Sequence, residues 1–172
     1  MIWHNFRMND DIDARILAML QEDARVSNAE IARRLGMAPS AVLERVRKLE
    51  ARGAILGYEA RVNPRVVNAG FLAFIFVRTE SICGDNAVGA ALAAIPEAQE
   101  VHNVAGEDCY LVKARVADPE SLGRLLRERI GVIPSVRSTR STIVLETLKE
   151  TSRLPVAESV TEKESEARNG KQ

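Results

Sequence analysis

The spacing of apolar residues along this chain changes from helical to alternating about a third of the way in. In "DIDARILAML" (11–20), Ile12, Ile16, Met19 and Leu20 recur at helical intervals, and the acidic residues at the head of the segment suit a helix N-terminus. "SNAEIARRLG" (27–36) begins with the form of a capping box, Ser27 accepting from residue 30 and Glu30 reaching back to residue 27. It carries Ile31 and Leu35 on one side and stops at Gly36. A third helix starts at Pro39, a favourable first-turn residue, and ends at Gly53, with Val42, Val46 and Leu49 in one narrow stripe. Only "GMAP" separates the last two helices, which predicts a compact helix-turn-helix corner.

Alternation then takes over. "AILGYEARVNP" (54–64) predicts a short strand or two, a wing or linker ending near Pro64. "FLAFIFV" (71–77) puts Phe71, Ala73, Ile75 and Val77 on one face and Leu72, Phe74 and Phe76 on the other, so both faces need cover. A helix from about Asp85 to Ile95 follows, then strands near 98–104 and 108–116. Asp118-Pro119 caps and starts a helix with Leu122, Leu125, Leu126 and Ile130 inward, stopped by Gly131, and "RSTIVLET" (140–147) reads as the last strand. The two halves echo each other in Ile95-Pro96 and Ile133-Pro134.

The resulting fold class is α+β: an N-terminal winged helix-turn-helix followed by a ferredoxin-like βαββαβ domain with both helices on one face of the sheet. Nothing in the chain remains to cover the other face, so a homodimer is expected. The boundaries are an N-terminal extension (1–8), the helix-turn-helix (9–53), a wing or linker (54–69), the ferredoxin-like domain (70–150) and a polar tail (151–172) read as partly disordered.

Charge sharpens this picture. The chain is formally neutral, with 24 basic and 24 acidic residues, which argues against a generic polycation. Yet Arg33, Arg34, Arg45, Arg47, Lys48 and Arg52 stand against only Glu44 and Glu50 between residues 33 and 52, a local surplus of four. Most charge runs are simply solvated helix faces. Here, however, the face opposite the apolar stripe combines Ser40, Ala41, Glu44, Arg45 and Lys48, with Ala51 beyond them and Arg47 and Arg52 at its edges. Small residues permit close approach and long cations meet phosphates, the combination a major-groove helix needs. Arg45 is the first choice for reading a base, with Arg47, Arg52, Arg33 and Arg34 for the backbone.

Two cysteines are too few for a disulfide framework, and Cys109 reads as a small buried hydrophobe. With two histidines there is no metal-ligand spacing, so no metal and no cofactor are expected. No apolar run approaches membrane-spanning length and no signal-peptide core precedes the first helix, which makes a cytoplasmic protein without membrane association the expectation.

Over roughly residues 9 to 150 the chain resembles the Lrp/AsnC family of transcription regulators. The resemblance rests on "RVSNAEIA", on "SAVLERVRKLEARGAI", and on "VAGEDCYLVKARV" with "STRSTIVLE", all in order. It implies sequence-specific binding of double-stranded DNA, no enzymatic activity, dimers that assemble into octamers, and an amino-acid effector held near the contact between dimers. "AGEDCY" (105–110) matches the family's Gly-Asp-x-Asp-Tyr turn, with Glu107 for the first Asp and Cys109 for the second. The implied effector site is therefore Gly106, Glu107, Asp108, Cys109 and Tyr110, completed by Thr139, Ser141 and Thr142 of the last strand. Siroheme decarboxylases, enzymes that share this two-domain plan, are the rival class; an oligomerisation module that binds no DNA is a third.

Overall fold

The computed structural model describes residues 11–80 and 86–156. The expected N-terminal extension, Cys83 and the tail beyond Val156 lie outside those residues. The chain divides into two compact units. One is the N-terminal part through Ala60 together with the C-terminal residues from Thr151; the other is Arg61–Glu150.

Three helices build the first unit: α1 (Asp11–Glu22), α2 (Asn28–Leu35) and α3 (Pro39–Ala51). Ile16, Ile31, Ala32, Val42, Val46 and Leu49 form its core, closed over by Ile12, Leu20, Leu35 and Ile55 among others. Ser27 Oγ accepts from the Glu30 amide at 3.2 Å, so half of the expected capping box forms. The other half does not, because the Glu30 carboxylate turns to Arg33 and Arg34. Gly36 takes the left-handed conformation at φ 67° that ends α2 and lets the chain turn into α3. The C-terminal segment is no detached tail at this point: Gln21 exchanges two hydrogen bonds with the Leu154 backbone at 3.1 and 2.7 Å.

The segment expected to form a wing strand carries no regular strand among the described residues. Ala54 and Ile55 pack back on the three helices, whereas Leu56 is 97% exposed. Alternation makes a strand only where a neighbouring ladder receives its amides, and none of the described ladders includes these residues.

The second unit is a four-stranded antiparallel sheet in the order β2-β3-β1-β4. Its strands are β1 (Phe71–Thr79), β2 (Ala98–Asn103), β3 (Tyr110–Val116) and β4 (Val136–Ile143), with α4 (Asn86–Ala93) after β1 and α5 (Pro119–Leu125) after β3. α5 runs on into a wider π-helical turn, Leu126–Ile130. Ala73, Ile75 and Val77 of β1 and Val112 and Ala114 of β3 meet Val88, Leu92, Leu122, Leu125 and Ile130 in one core. β4 starts and ends earlier than expected. Its partner β1 sets the limits, pairing Thr79 with Val136 and Ala73 with Ile143. Of the apolar "IVL" that suggested a later strand, Ile143 closes β4 and the Val144 amide still donates to the Leu72 carbonyl at 3.0 Å, whereas Leu145 is 98% exposed.

The outer face of the sheet is mixed rather than uniformly apolar. Phe74 lies opposite Lys113 and Phe76 opposite Leu111, with Thr142 and Arg140 as their β4 neighbours. Glu150 folds over this face, bridging Lys113 and Arg115, whose side chains are only 13% and 10% exposed. Glu100 adds a second carboxylate to Lys113 at 2.9 Å. Lys113 holds the Glu150 carboxyl below the ordinary carboxylate range despite partial burial, and Lys113 with His102 does the same for Glu100. Both folded-state values are depressed, so the stability these acids contribute is present above the unfolded carboxylate pKa and is lost as pH falls through the folded values. Glu150→Gln should therefore lower the urea midpoint at neutral pH and flatten its fall between roughly pH 5 and pH 3. Parallel curves for variant and parent would show the bridge to be inert.

Candidate nucleic-acid interface and effector turn

α3 owes its position to one face. Val42, Val46 and Leu49 are buried, while Ser40, Glu44, Arg47, Lys48 and Ala51 are exposed and Ala41 is half-buried. Its start lacks a side-chain cap: Ala38 occupies the capping position at φ −75°, ψ 140° and makes no such bond. Among the described hydrogen bonds Ser40 supplies no substitute.

The cations of this region are mostly committed to carboxylates. Arg33 and Arg34 share Glu30, both at 2.7 Å, and these bonds, that from Arg33 first, bring the Glu30 carboxyl down to about 2. Lys48 pairs with Glu44 at 2.7 Å one turn away. Arg45 and Arg52 both reach Asp13 of α1, at 2.9 and 3.1 Å. Counting Glu30 and Asp13, which sit in space among these cations, reduces the surplus from four to two. Arg47 is exposed and makes no ion pair among the described residues. Arg45, expected to face the groove as first base reader, has a side chain 30% exposed whose guanidinium is paired with Asp13 of α1. Sequence reasoning missed Asp13 because an acid in a first turn reads as a dipole partner. Its place one residue after the apolar Ile12, on a helix that must pack, was the available signal.

An open groove of about 500 Å³ runs along α3, lined by Asp13 of α1 and by Met37, Ala41, Glu44, Arg45, Lys48, Ala51 and Arg52.

At the effector turn the structure separates the expected residues. Cys109 and Tyr110 are buried at 3% and 4% in the core, and the Tyr110 ring lies against Gly89 of α4. They support the turn from beneath and do not line it. Cys109 is disulfide-bonded, which corrects its reading as a plain hydrophobe. Gly106 has φ 131°, a conformation side chains rarely adopt, with open space beside its Cα. Glu107 pairs with Arg78 at 3.3 Å and Asp108 with Arg140 at 3.0 Å. Arg140 also lies 4.0 Å over the Phe76 ring.

Register decides the rest. Thr139 and Ser141 stand opposite Val77 and Ile75 and so belong to the helix side of the sheet. Thr142 stands opposite Phe74 on the outer face, the side of Phe76 and Arg140. The two carboxylates therefore meet Arg78 and Arg140, which sequence reasoning missed, and are parted from Thr139 and Ser141. The period-two pattern Phe74, Phe76, Arg78 already placed one of these arginines on that face.

A helix-turn-helix with an exposed α3, followed by an α+β domain with a charged turn, defines a DNA-binding regulator with a separate ligand-binding domain. Comparison bears this out. Residues 10–50 match the AsnC-type helix-turn-helix domain and residues 72–154 the Lrp/AsnC ligand binding domain. The chain belongs to the Lrp/AsnC family of transcriptional regulators. It is 40% identical over 149 residues to the leucine-responsive regulatory protein of Salmonella typhimurium, covering 86% of this chain and 91% of that protein. A Neisseria meningitidis transcriptional regulator in complex with L-methionine superposes with TM-score 0.79 at 31% identity, covering 85% of this chain and 96% of that one. The Mycobacterium tuberculosis feast or famine regulatory protein, complexed with L-methionine, gives TM-score 0.79 at 38% identity over 86% and 99% of the two chains. These relatives are transcriptional regulators rather than enzymes. No helix among the described residues is long and apolar enough to cross a membrane.

The uncapped start of α3 gives a direct test. Ala38→Ser should stabilise the first unit by about 1 kcal/mol, since its hydroxyl can accept one of the orphan amides. A rise in the thermal midpoint checks this; no change would mean that Pro39 already satisfies the helix start.

Proposed function

We propose that α3 enters the major groove of double-stranded DNA and that the Gly106–Asp108 turn takes an α-amino acid, which alters how copies of the chain assemble. The helix reading rests on the exposed face of α3, where Arg47 and Lys48 project beside the small residues Ser40, Ala41 and Ala51. Arg47 and Lys48 serve phosphates or bases; Arg33 and Arg34 add backbone contacts by exchanging Glu30 for phosphate. Arg47→Ala and Lys48→Ala should each weaken binding to the duplex upstream of the protein's own gene. Each should also reduce the slope of log affinity against log salt by about 0.9 for every phosphate no longer neutralised. Unchanged affinity in both variants, read by gel shift, would remove α3 from the interface.

The two acid–arginine pairs at the turn carry the effector reading. A free amino acid presents a carboxylate and an ammonium, the complements of a guanidinium and an aspartate. Asp108–Arg140 is solvent-accessible, with side chains 27% and 63% exposed. Breaking such a pair costs about 0–1 kcal/mol, so a zwitterion that satisfies both halves replaces it at little expense. Phe76 beneath Arg140 and Leu111 opposite Phe76 supply apolar ground, which favours an apolar effector side chain. The L-methionine complexes of the relatives agree with that chemistry.

The same outer face, with the half-buried Phe74, Phe76 and Leu111, is the surface a second copy covers, and the turn stands at its margin. The chain is then a homodimer able to assemble to an octamer. Isothermal titration with L-methionine, L-leucine and the other amino acids should yield binding that Asp108→Ala and Arg140→Ala abolish. Light scattering of the same samples should show a dimer or its multiples whose distribution shifts with ligand. A ligand bound equally by both variants places the site elsewhere, and a stable monomer refutes the assembly.

A further inference from the structure

Asp13 is unlike the other acids that meet the cations of this unit. Its side chain is 10% exposed, whereas Glu30 and Glu44 are 31% and 67% exposed. Its two oxygens are divided between an arginine of α3 and the arginine that caps it, Oδ1 receiving Arg45 Nη1 at 2.9 Å and Oδ2 receiving Arg52 Nη2 at 3.1 Å. Arg45 lies within α3 and Arg52 caps its C-terminus seven residues later, about two helical turns on. One buried carboxylate thus clamps both, and it does so on the wall of the groove that runs along the outer side of α3.

We propose that Asp13 is a positioning residue for DNA recognition: it fixes the two guanidinium groups beside the exposed face of α3 and cancels part of their charge, so that they do not bind phosphates indiscriminately. The proposal rests on the reading of α3 as the groove-entering helix. An arginine free to swing binds any duplex through its backbone, because phosphate contacts carry no sequence information. An arginine held in one direction contributes only where the DNA fits it. The clamp also ties α3 to α1 and so sets the angle at which Arg47 and Lys48 leave the unit. Arg45 and Arg52 retain 30% and 45% side-chain exposure, so removing the carboxylate frees them into solvent instead of stranding them in the core.

The test compares two duplexes, the region upstream of the protein's own gene and poly(dI-dC), over a range of salt concentrations with the full-length chain. Asp13→Asn keeps the size of the side chain and removes its charge. It should tighten binding to poly(dI-dC), steepen the salt slope by about one to two phosphates per head, and lower the ratio of specific to nonspecific affinity by about tenfold, the order of one mismatched base pair. Adding Arg52→Gln to Asp13→Asn should bring the slope back toward that of the parent protein. Equal weakening on both duplexes with an unchanged slope would overturn the proposal and leave Asp13 a packing residue. If Asp13→Asn does not fold, Asp13→Glu decides: it keeps the charge and displaces it by one methylene, so the ratio must fall while the slope stays. A ratio equal to the parent's overturns the proposal. Failure of the underlying helix reading is distinct, because Arg47→Ala and Lys48→Ala would then change neither duplex.

Discussion

Strand β1 must be covered on both faces, and the second unit is organised around that requirement. It lies inside the sheet between β3 and β4, and its inward residues Ala73, Ile75 and Val77 are fully buried. Helices α4 and α5 supply that cover, as the right-handed crossovers of a βαββαβ chain dictate. The outward residues Phe74 and Phe76 get less, since both helices are already used on the other side. Lys113, Arg115 and Glu150 occupy one end of the outer face as a partly buried ion network. Arg140 covers the Phe76 ring. A charged group laid over an aromatic is a cover that can be exchanged, and this is why the ligand reading and the assembly reading fall on the same ground.

The first unit solves a different problem, how to present cations without becoming a polycation. Its solution is local. Glu30 takes two arginines, Glu44 takes Lys48, and Asp13 takes two more, which leaves Arg47 as the exposed cation of α3 outside any ion pair among the described residues. The exposed pairs of Glu30 and Glu44 contribute little stability. Their effect is on what the cations do when phosphate arrives. Each paired cation must give up a carboxylate to take a phosphate, so electrostatic attraction to an arbitrary duplex is weakened while shape-dependent contacts are retained.

Much of this was legible in the residues. The three helices, the Ser27 cap, the Gly36 stop and the strand order follow from periodicity and turn chemistry, because each is enforced locally. The errors came where a second element decides. Whether residues 54–64 form a strand depends on a neighbour to pair with, and the bounds of β4 depend on its ladder with β1. Arg45 reads as a free cation until α1 is placed beside it, since nothing near it in sequence announces Asp13. Thr139, Ser141 and Thr142 read as one polar lining, yet alternation across a strand sends Thr142 to the face opposite the other two. The disulfide at Cys109 had no signal in spacing or composition.

That anchored cysteine bears on how a ligand at the turn could act. The Cys109 amide donates to the Val77 carbonyl at 3.0 Å, and its own carbonyl receives Val104 N and Asn103 Nδ2 at 3.0 and 3.2 Å. Its sulfur is covalently tied and accepts from the Thr79 hydroxyl at 3.2 Å. The end of the turn is thereby fixed to β1, so the response of Glu107 and Asp108 to a ligand stays local to the turn. A response of that size cannot reshape the sheet. It can decide whether Arg78 and Arg140 face their own turn, a ligand or another copy of the chain. A ligand shifts assembly only as far as its affinity differs between the two arrangements. For exposed charge pairs of this kind that difference is on the order of 1 kcal/mol per copy, roughly a fivefold bias. In the octamer proposed above, eight such sites acting together would multiply it, and a small exchange of ion pairs would become a switch.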